Sequence, residues 1–157
     1  MPKITPFLWF DGQAEEAMNF YVSVFKDAEA GEITRYTEAG PGPAGSVMTV
    51  SFELFGQPFA GLNGGPHFKF TEAVSFAIEC EDQAEVDYYW TRLSDGGETS
   101  QCGWLKDRFG LSWQVVPRML LESNADPDPA KSKRVFEAMM TMTKLDIARL
   151  EAAARGA

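Results

Sequence analysis

Apolar and polar positions along this chain follow two rhythms, a strand-like run and a helix-like stripe, and the order of the two recurs. Ile4 to Phe10 is an apolar run of β-type residues and reads as a strand. Asp11-Gly12 ends it and can cap a helix. From Gln13 to Phe25, Ala17, Phe20, Tyr21 and Val24 recur at helical spacing and define one apolar face. Strands are expected over Glu32–Thr37, Ser46–Leu54 and Pro58–Leu62. The Gly-Pro-Gly-Pro loop within Glu38–Gly45 and a turn at Phe55-Gly56-Gln57 separate them. Asn63-Gly64-Gly65-Pro66 then breaks the pattern, and it restarts. Ala73 to Cys80 reads as a strand. Gln83 to Leu93 reads as a helix burying Val86, Tyr89, Trp90 and Leu93. Short strands follow near Glu98–Cys102, Trp104–Lys106 and Leu111–Val116.

The restart is an internal repeat. Phe10-Asp11-Gly12-Gln13-Ala14-Glu15 aligns with Cys80-Glu81-Asp82-Gln83-Ala84-Glu85 at an offset of 70 residues. Phe20 then falls on Trp90. Phe55-Gly56-Gln57-Pro58-Phe59 aligns with Phe109-Gly110-Leu111-Ser112-Trp113 at an offset of 54. Each copy reads strand–helix–three strands. Beyond them, Asp126-Pro127-Asp128-Pro129 announces a helix with proline in its first turn. Val135, Phe136, Met139 and Met140 form a stripe for packing against the body, and Leu145, Ile147 and Leu150 belong to a last short helix. The expected organisation is paired βαβββ repeats over 1–120 (about 1–65 and 71–120) and a helical C-terminal extension over 121–157.

Composition narrows the function classes. Hydrophobic residues make up 45% and aromatics 13%, as in a folded globular chain. No apolar run approaches the roughly 20 residues that span a bilayer, and Met1 to Pro6 lacks the apolar stretch of a signal peptide. A cytoplasmic protein with no membrane partner is expected. The net charge of −9, from 14 basic and 23 acidic residues, makes nucleic acid an unsuitable partner. Cys80 and Cys102 form no CxxC pair and are expected to be reduced thiols.

Two βαβββ units sharing a sheet plan, together with Leu8-Trp9-Phe10-Asp11-Gly12, Phe20-Tyr21, Leu62-Asn63-Gly64-Gly65-Pro66, Gln101-Cys102-Gly103-Trp104-Leu105-Lys106-Asp107 and Phe109-Gly110-Leu111-Ser112-Trp113-Gln114-Val115-Val116-Pro117, resemble the vicinal oxygen chelate superfamily. Within it they resemble the PhnB-like branch, whose members often carry a 3-demethylubiquinone-9 3-methyltransferase label. The likeness runs from Ile4 to about Pro117. It implies an α+β protein of the glyoxalase/bleomycin-resistance fold, with a curved eight-stranded mixed sheet forming a cup. It also implies a homodimer.

The resemblance further implies a metal site of three or four His or Glu ligands in the cup. Mapped by the repeat, its positions fall on Thr5, Ala60, Ser75 and Gln114, none of which is a good ligand for a divalent transition metal. His67 is the only histidine, so a two-histidine-one-carboxylate site cannot form within one chain. No metal and no other cofactor is therefore expected. The methyltransferase label implies S-adenosylmethionine, but the prolines of Gly40-Pro41-Gly42-Pro43-Ala44-Gly45 interrupt its glycine turn and no helix pattern follows. Strand alternation turns Thr5, Phe7 and Trp9 into the cup with Ser75, Ser112 and Gln114, and turns Ile4, Leu8 and Phe10 toward the helix and Trp113 behind the cup. These residues either line a site for a small, flat, partly apolar organic ligand or fill the cup themselves. His67 is either a general base or a solvated linker residue. Cys102 is either a nucleophile or a structural thiol. Two functions follow as expectations. One is metal-free binding of a small organic ligand. The other is lyase, isomerase or transferase chemistry, run without metal or with an unorthodox site combining His67 with Glu53 or Glu79.

Overall fold

The computed structural model describes residues 3–157. Met1 and Pro2, with which the first expected repeat begins, lie outside the described residues. The chain divides into two compact units, residues 1–70 and 71–157.

The first unit contains β1 (Phe7–Phe10), α1 (Ala14–Val24), β2 (Ala28–Arg35), β3 (Val47–Leu54) and β4 (Gln57–Asn63). Its sheet runs β1-β4-β3-β2, with β1 parallel to β4 and the other pairs antiparallel. Helix α1 covers one face. Ala14, Ala17, Met18, Tyr21 and Val24 are buried there, as are Leu8, Phe10, Val50, Phe52 and Phe59 from the strands. Phe52 joins the layers, stacked on Phe59 at 5.5 Å and tilted against Tyr21 at 5.8 Å. Met18 is buried where Phe20 was expected to be, and Phe20 is half-buried.

Three expectations need correction in this unit. The first strand begins at Phe7, not Ile4, and Ile4 is 83% exposed instead of facing the helix. Pro6 lacks an N–H, so the ladder ends there with its carbonyl accepting from Ala60 N at 2.9 Å. Asp11 does not cap α1. Gln13 occupies the cap position without a side-chain bond, and Asn63 Oδ1 accepts from Ala14 N at 2.9 Å. The cap thus comes from the far end of β4. Finally, β2 covers Ala28–Arg35 where Glu32–Thr37 was expected, because pairing with β3 from Ala28↔Leu54 onward outweighs the weak strand propensity of Ala-Glu-Ala-Gly. Its register slips between Ala30 and Ile33, and there Glu32 N donates to Ser51 Oγ at 2.8 Å.

The second unit contains β5 (Ser75–Cys80), α2 (Gln83–Ser94), β6 (Glu98–Thr99), β7 (Trp104–Lys106) and β8 (Ser112–Pro117). Its sheet runs β5-β8-β7-β6. Helix α2 is capped by Asp82, whose carboxylate accepts from Glu85 N at 2.9 Å, and it buries Val86, Tyr89, Trp90 and Leu93. The registers of the two units superpose through the sequence repeat. Phe7 pairs with Ala60, and their repeat equivalents Ala77 and Gln114 also pair. The same holds for every pair down to Phe10↔Asn63 and Cys80↔Pro117. The duplication therefore extends to individual ladder partners.

Three helices follow: α3 (Arg118–Asn124), α4 (Pro129–Met139) and α5 (Ile147–Ala154). Helix α3, which periodicity did not announce, leaves β8 without a loop. Asp128 and Asp146 cap α4 and α5. Val116, Leu120, Val135, Met142, Leu145 and Leu150 form a buried cluster. The expected stripe is only partly inside it: Val135 is buried, Met139 packs on the cluster, and Phe136 and Met140 are exposed. Polar ties hold this tail to its unit. Gln83 donates to Leu145 O at 3.1 Å and accepts from Ile147 N at 2.8 Å. Cys102 N and Gly103 N donate to Met142 O and Thr143 O.

Lys144 bridges Asp87 at 2.8 Å. Hydrogen bonds from Lys144 and Gln83 hold the Asp87 carboxyl below its ordinary value of 3.8. A depressed folded pKa gives stability that is complete at neutral pH, begins to fade at the unfolded value, and is lost below the folded one. The opening free energy of α5, taken from amide exchange corrected for the intrinsic rate at each pH, is expected to be flat from pH 8 to 5 and to fall below about pH 4. In Asp87→Asn this acid step should be reduced, and an unchanged step would contradict the assignment.

Candidate functional site

Each sheet has one face under its helix and one face not covered by it. In the first unit, cross-strand pairing places Phe7, Trp9, Ala60, Leu62, Ser51 and Glu53 together on the second face. Phe7 is 63% exposed there. A groove of about 420 Å³ lies on this unit, lined by Thr5, Ala60, Ser51, Pro58, Glu29 and Glu53 among others. Two of the mapped metal positions, Thr5 and Ala60, therefore share one groove. Glu29 and Glu53 stand directly opposite each other on β2 and β3.

Trp9 is less available than its parity implied. Its Nε1 donates to Gly65 O at 2.9 Å, and its ring meets Phe68 edge-on at 4.8 Å. Gly64 lies so close to the indole that a Cβ there would run into the ring. The Asn63–Phe68 segment therefore pins Trp9 as a wall and occupies its polar handle.

In the second unit one row crosses all four strands: Glu98, Lys106, Ser112 and Ser75 are successive ladder partners. The next row on that face holds Trp104, Gln114 and Ala77. Gln114 Nε2 donates to Ser75 Oγ at 2.9 Å. The two mapped positions of this unit are thus joined to each other, an amide to a hydroxyl. Lys106 forms an ion pair with Glu72 beside them. Its hydrogen bond to Glu72 and the nearby Glu98 raise its pKa further, so it stays an ammonium.

Neutral oxygen donors of this kind, one of them already bonded within the pair, do not suit a divalent transition metal. Among the described residues no cluster of three or more His, Cys, Asp or Glu could hold a metal ion. His67 is exposed and lines a different cavity of about 530 Å³ with Asp11, Glu15, Tyr36 and Asn63. Neither Glu53 nor Glu29 lines it. Glu79 is bridged to Arg118 at 2.9 Å, and Arg118 also reaches Glu81 at 2.6 Å. The loop of alternating glycine and proline packs on the Tyr36 ring, where a Cβ at Gly42 would collide, and Tyr36 Oη donates to Asn63 O.

Cys102 lies on the turn before β7, half-buried, with its Sγ 3.7 Å from Met140 Sδ. Cys80 is fully buried under α2. Burial, reinforced by the charges of Glu85 and Asp82, pushes its thiol up to about 12. In the native protein at pH 8, a disulfide reagent is expected to find at most one thiol per chain, and denaturant should release the second. Two rapid native equivalents would contradict this placement.

Sequence reasoning gave no role to Asp107. It is 2% exposed. Its Oδ1 accepts from Phe109 N at 2.9 Å and Leu111 N at 3.1 Å, and its Oδ2 accepts from Trp113 Nε1 at 2.9 Å. An aspartate two residues before a Phe-Gly turn, with a tryptophan following, was the available signal. This carboxylate sets the β7–β8 turn and therefore the positions of Lys106 and Ser112.

The family model for 3-demethylubiquinone-9 3-methyltransferase matches residues 2–116. No curated protein matches the chain. Among solved structures, a Bacillus cereus protein called PhnB and carrying the same methyltransferase label is 40% identical. It has a TM-score of 0.67, covers 74% of this chain and is itself covered over 99% of its length. PA1353 from Pseudomonas aeruginosa is 20% identical at a TM-score of 0.62, with 74% and 98% covered. The fosfomycin resistance protein FosX from Mesorhizobium loti is 16% identical at 0.57, with 80% and 100% covered, a likeness of fold. The family match stops just before α3. Both the matched span and the 40% identity show that this chain belongs to the 3-demethylubiquinone-9 3-methyltransferase (PhnB-like) family of the vicinal oxygen chelate superfamily, with its glyoxalase/bleomycin-resistance fold.

Proposed function

We propose that this protein binds a small organic ligand on the sheet faces that α1 and α2 leave uncovered, without the superfamily metal. The observation that carries the reading is the Gln114–Ser75 hydrogen bond. Where a metal enzyme needs anionic or imidazole donors, this chain holds a neutral amide bonded to a hydroxyl, a pair fitted to hydrogen-bonding an organic molecule. Half-exposed Trp104 beside it adds apolar contact surface.

The family's methyltransferase label is not adopted as an activity. The glycines that would have to cradle a cofactor are packed on Tyr36. FosX from Listeria monocytogenes has been solved with Mn(II) and sulfate; Thr5, Ala60, Ser75 and Gln114 offer no anionic or imidazole donor for such an ion. The second reading, an enzyme using His67 with Glu53 or Glu79, gains no support from the placement of those side chains.

Gently purified protein, examined by native mass spectrometry and elemental analysis, is expected to carry an organic adduct or to take one up from a metabolite extract, with less than a tenth of an equivalent of Fe, Mn, Ni or Zn (on the order of trace occupancy). Gln114→Ala should lose the adduct. One equivalent of metal per chain, removed together with binding by a chelator, would overturn the reading. The same reading includes a cytoplasmic homodimer, supported by the exposed apolar side chains Phe7, Phe136 and Met140. Light scattering giving a monomer mass would remove that part.

A further inference from the structure

The second unit contains a small pocket of about 230 Å³, lined by Ser112, Trp104, Lys106, Glu72, Glu98 and neighbouring residues. Ser112 is 1% exposed, and its Oγ is a buried side-chain polar atom without a hydrogen-bond partner. Leaving a buried hydroxyl unmatched is unfavourable, and such a group is normally satisfied. It lies in the row Glu98–Lys106–Ser112–Ser75, flanked by partners that are already engaged: Ser75 by Gln114, Lys106 by Glu72.

The charge around this hydroxyl has a sign. Two carboxylates, Glu72 and Glu98, face one ammonium, Lys106. The groove of the first unit repeats the bias, with Glu29 and Glu53 in its lining and no basic residue there. Like charges opposite one another on a sheet are unfavourable without a compensating cation. Trp104 supplies a flat apolar wall, the surface on which an organic cation is best held.

We infer that this pocket is the polar end of the ligand site and selects a flat organic cation, a protonated amine or amidine, whose hydrogen-bonding group meets Ser112 Oγ. The inference rests on the ligand-binding reading above and names its substrate class. The cation competes with Lys106 for Glu72 and Glu98, and its planar part lies against Trp104. Binding at this end is small-molecule sized, below the roughly 300–1,000 Å³ of a drug-sized site.

Three probes of one shape and different charge test it by calorimetry on the full chain: benzamidine, benzamide and benzoate. Benzamidine is expected to bind saturably and more tightly than the other two. Glu98→Gln should weaken it about tenfold, the loss of one charge-assisted contact. Ser112→Ala should weaken it several-fold while melting no lower than the parent, because only an unmatched hydroxyl is removed. Lys106→Met should tighten it by removing the competing ammonium. Benzoate or benzamide binding as tightly as benzamidine, in a Ser112-dependent manner, would overturn the charge preference and leave ligand binding standing. Benzamidine binding indifferent to both Ser112→Ala and Glu98→Gln, or absent, would overturn the subsite. The adduct experiment then decides the broader reading separately.

Discussion

Asp107→Ala is expected to destabilise the protein by about 3–5 kcal/mol, as a buried acceptor shared by three donors is lost. Two of those donors are backbone N–H groups in the β7–β8 turn and the third is the Trp113 indole. Asp107→Asn separates the contributions. Its amide oxygen can serve the two backbone donors that Oδ1 serves now, but its amide nitrogen then faces the indole N–H, donor against donor. An intermediate loss is expected, with a changed near-ultraviolet signal from Trp113. The checks are denaturant midpoints and circular dichroism. An alanine variant within 1 kcal/mol of the parent (about the worth of one ordinary hydrogen bond) would show that the turn holds without this carboxylate.

Leu145→Ala is the second substitution expected to act strongly. Leu145 is fully buried in the tail cluster, and its carbonyl takes the Gln83 hydrogen bond. Removing the side chain leaves a cavity between Val116, Leu120, Val135 and Leu150, at a cost of about 2–5 kcal/mol. For a chain of this size the melting temperature should fall by on the order of 10 °C. Amide exchange should place the loosening in α4 and α5 and in the Cys102–Gly103 turn, whose N–H groups bond to tail carbonyls. The first unit, residues 1–70, is expected to keep its protection. Uniform acceleration over the whole chain would show that the tail does not unfold as a separate piece.

The duplicated strand–helix–strand order was legible because hydrophobic period is a local property. Gln83 to Leu93 shows this best, since all four side chains assigned to its buried face are buried. What escaped was non-local. The cap of α1 comes from Asn63, 49 residues away from the N–H it accepts. The start of β2 is set by its partner β3, against the propensity of its own residues. Helix α3 is short, and its burial is limited to Leu120 and Ser123, too little for a periodic signal. At the site, parity placed Ser75 and Gln114 on one face, and the structure joins them by a hydrogen bond. Parity also turned Trp9 toward the same kind of opening, but it could not foresee that the segment after Asn63 folds back over the indole. His67 looked equally available to any site, yet it lines the cavity at the other end of β4. Parity turned Ser112 inward with Gln114, but that its hydroxyl is unmatched is a property of surroundings and not of sequence.

The slipped register of β2 has a consequence for how copies of this chain meet. β2 is the outermost strand of its sheet, and a regular outer strand offers a row of free N–H and C=O groups to any other chain. Here that row is interrupted between Ala30 and Ile33 and again between Thr34 and Arg35, and the strand carries Glu29, Glu32 and Arg35. At the corresponding border of the second sheet, β6 is only two residues long. An incoming strand could register with neither for more than a few residues. These borders therefore act as terminators against open-ended β-aggregation, so the chain can stay acidic and concentrated without seeding fibrils through them.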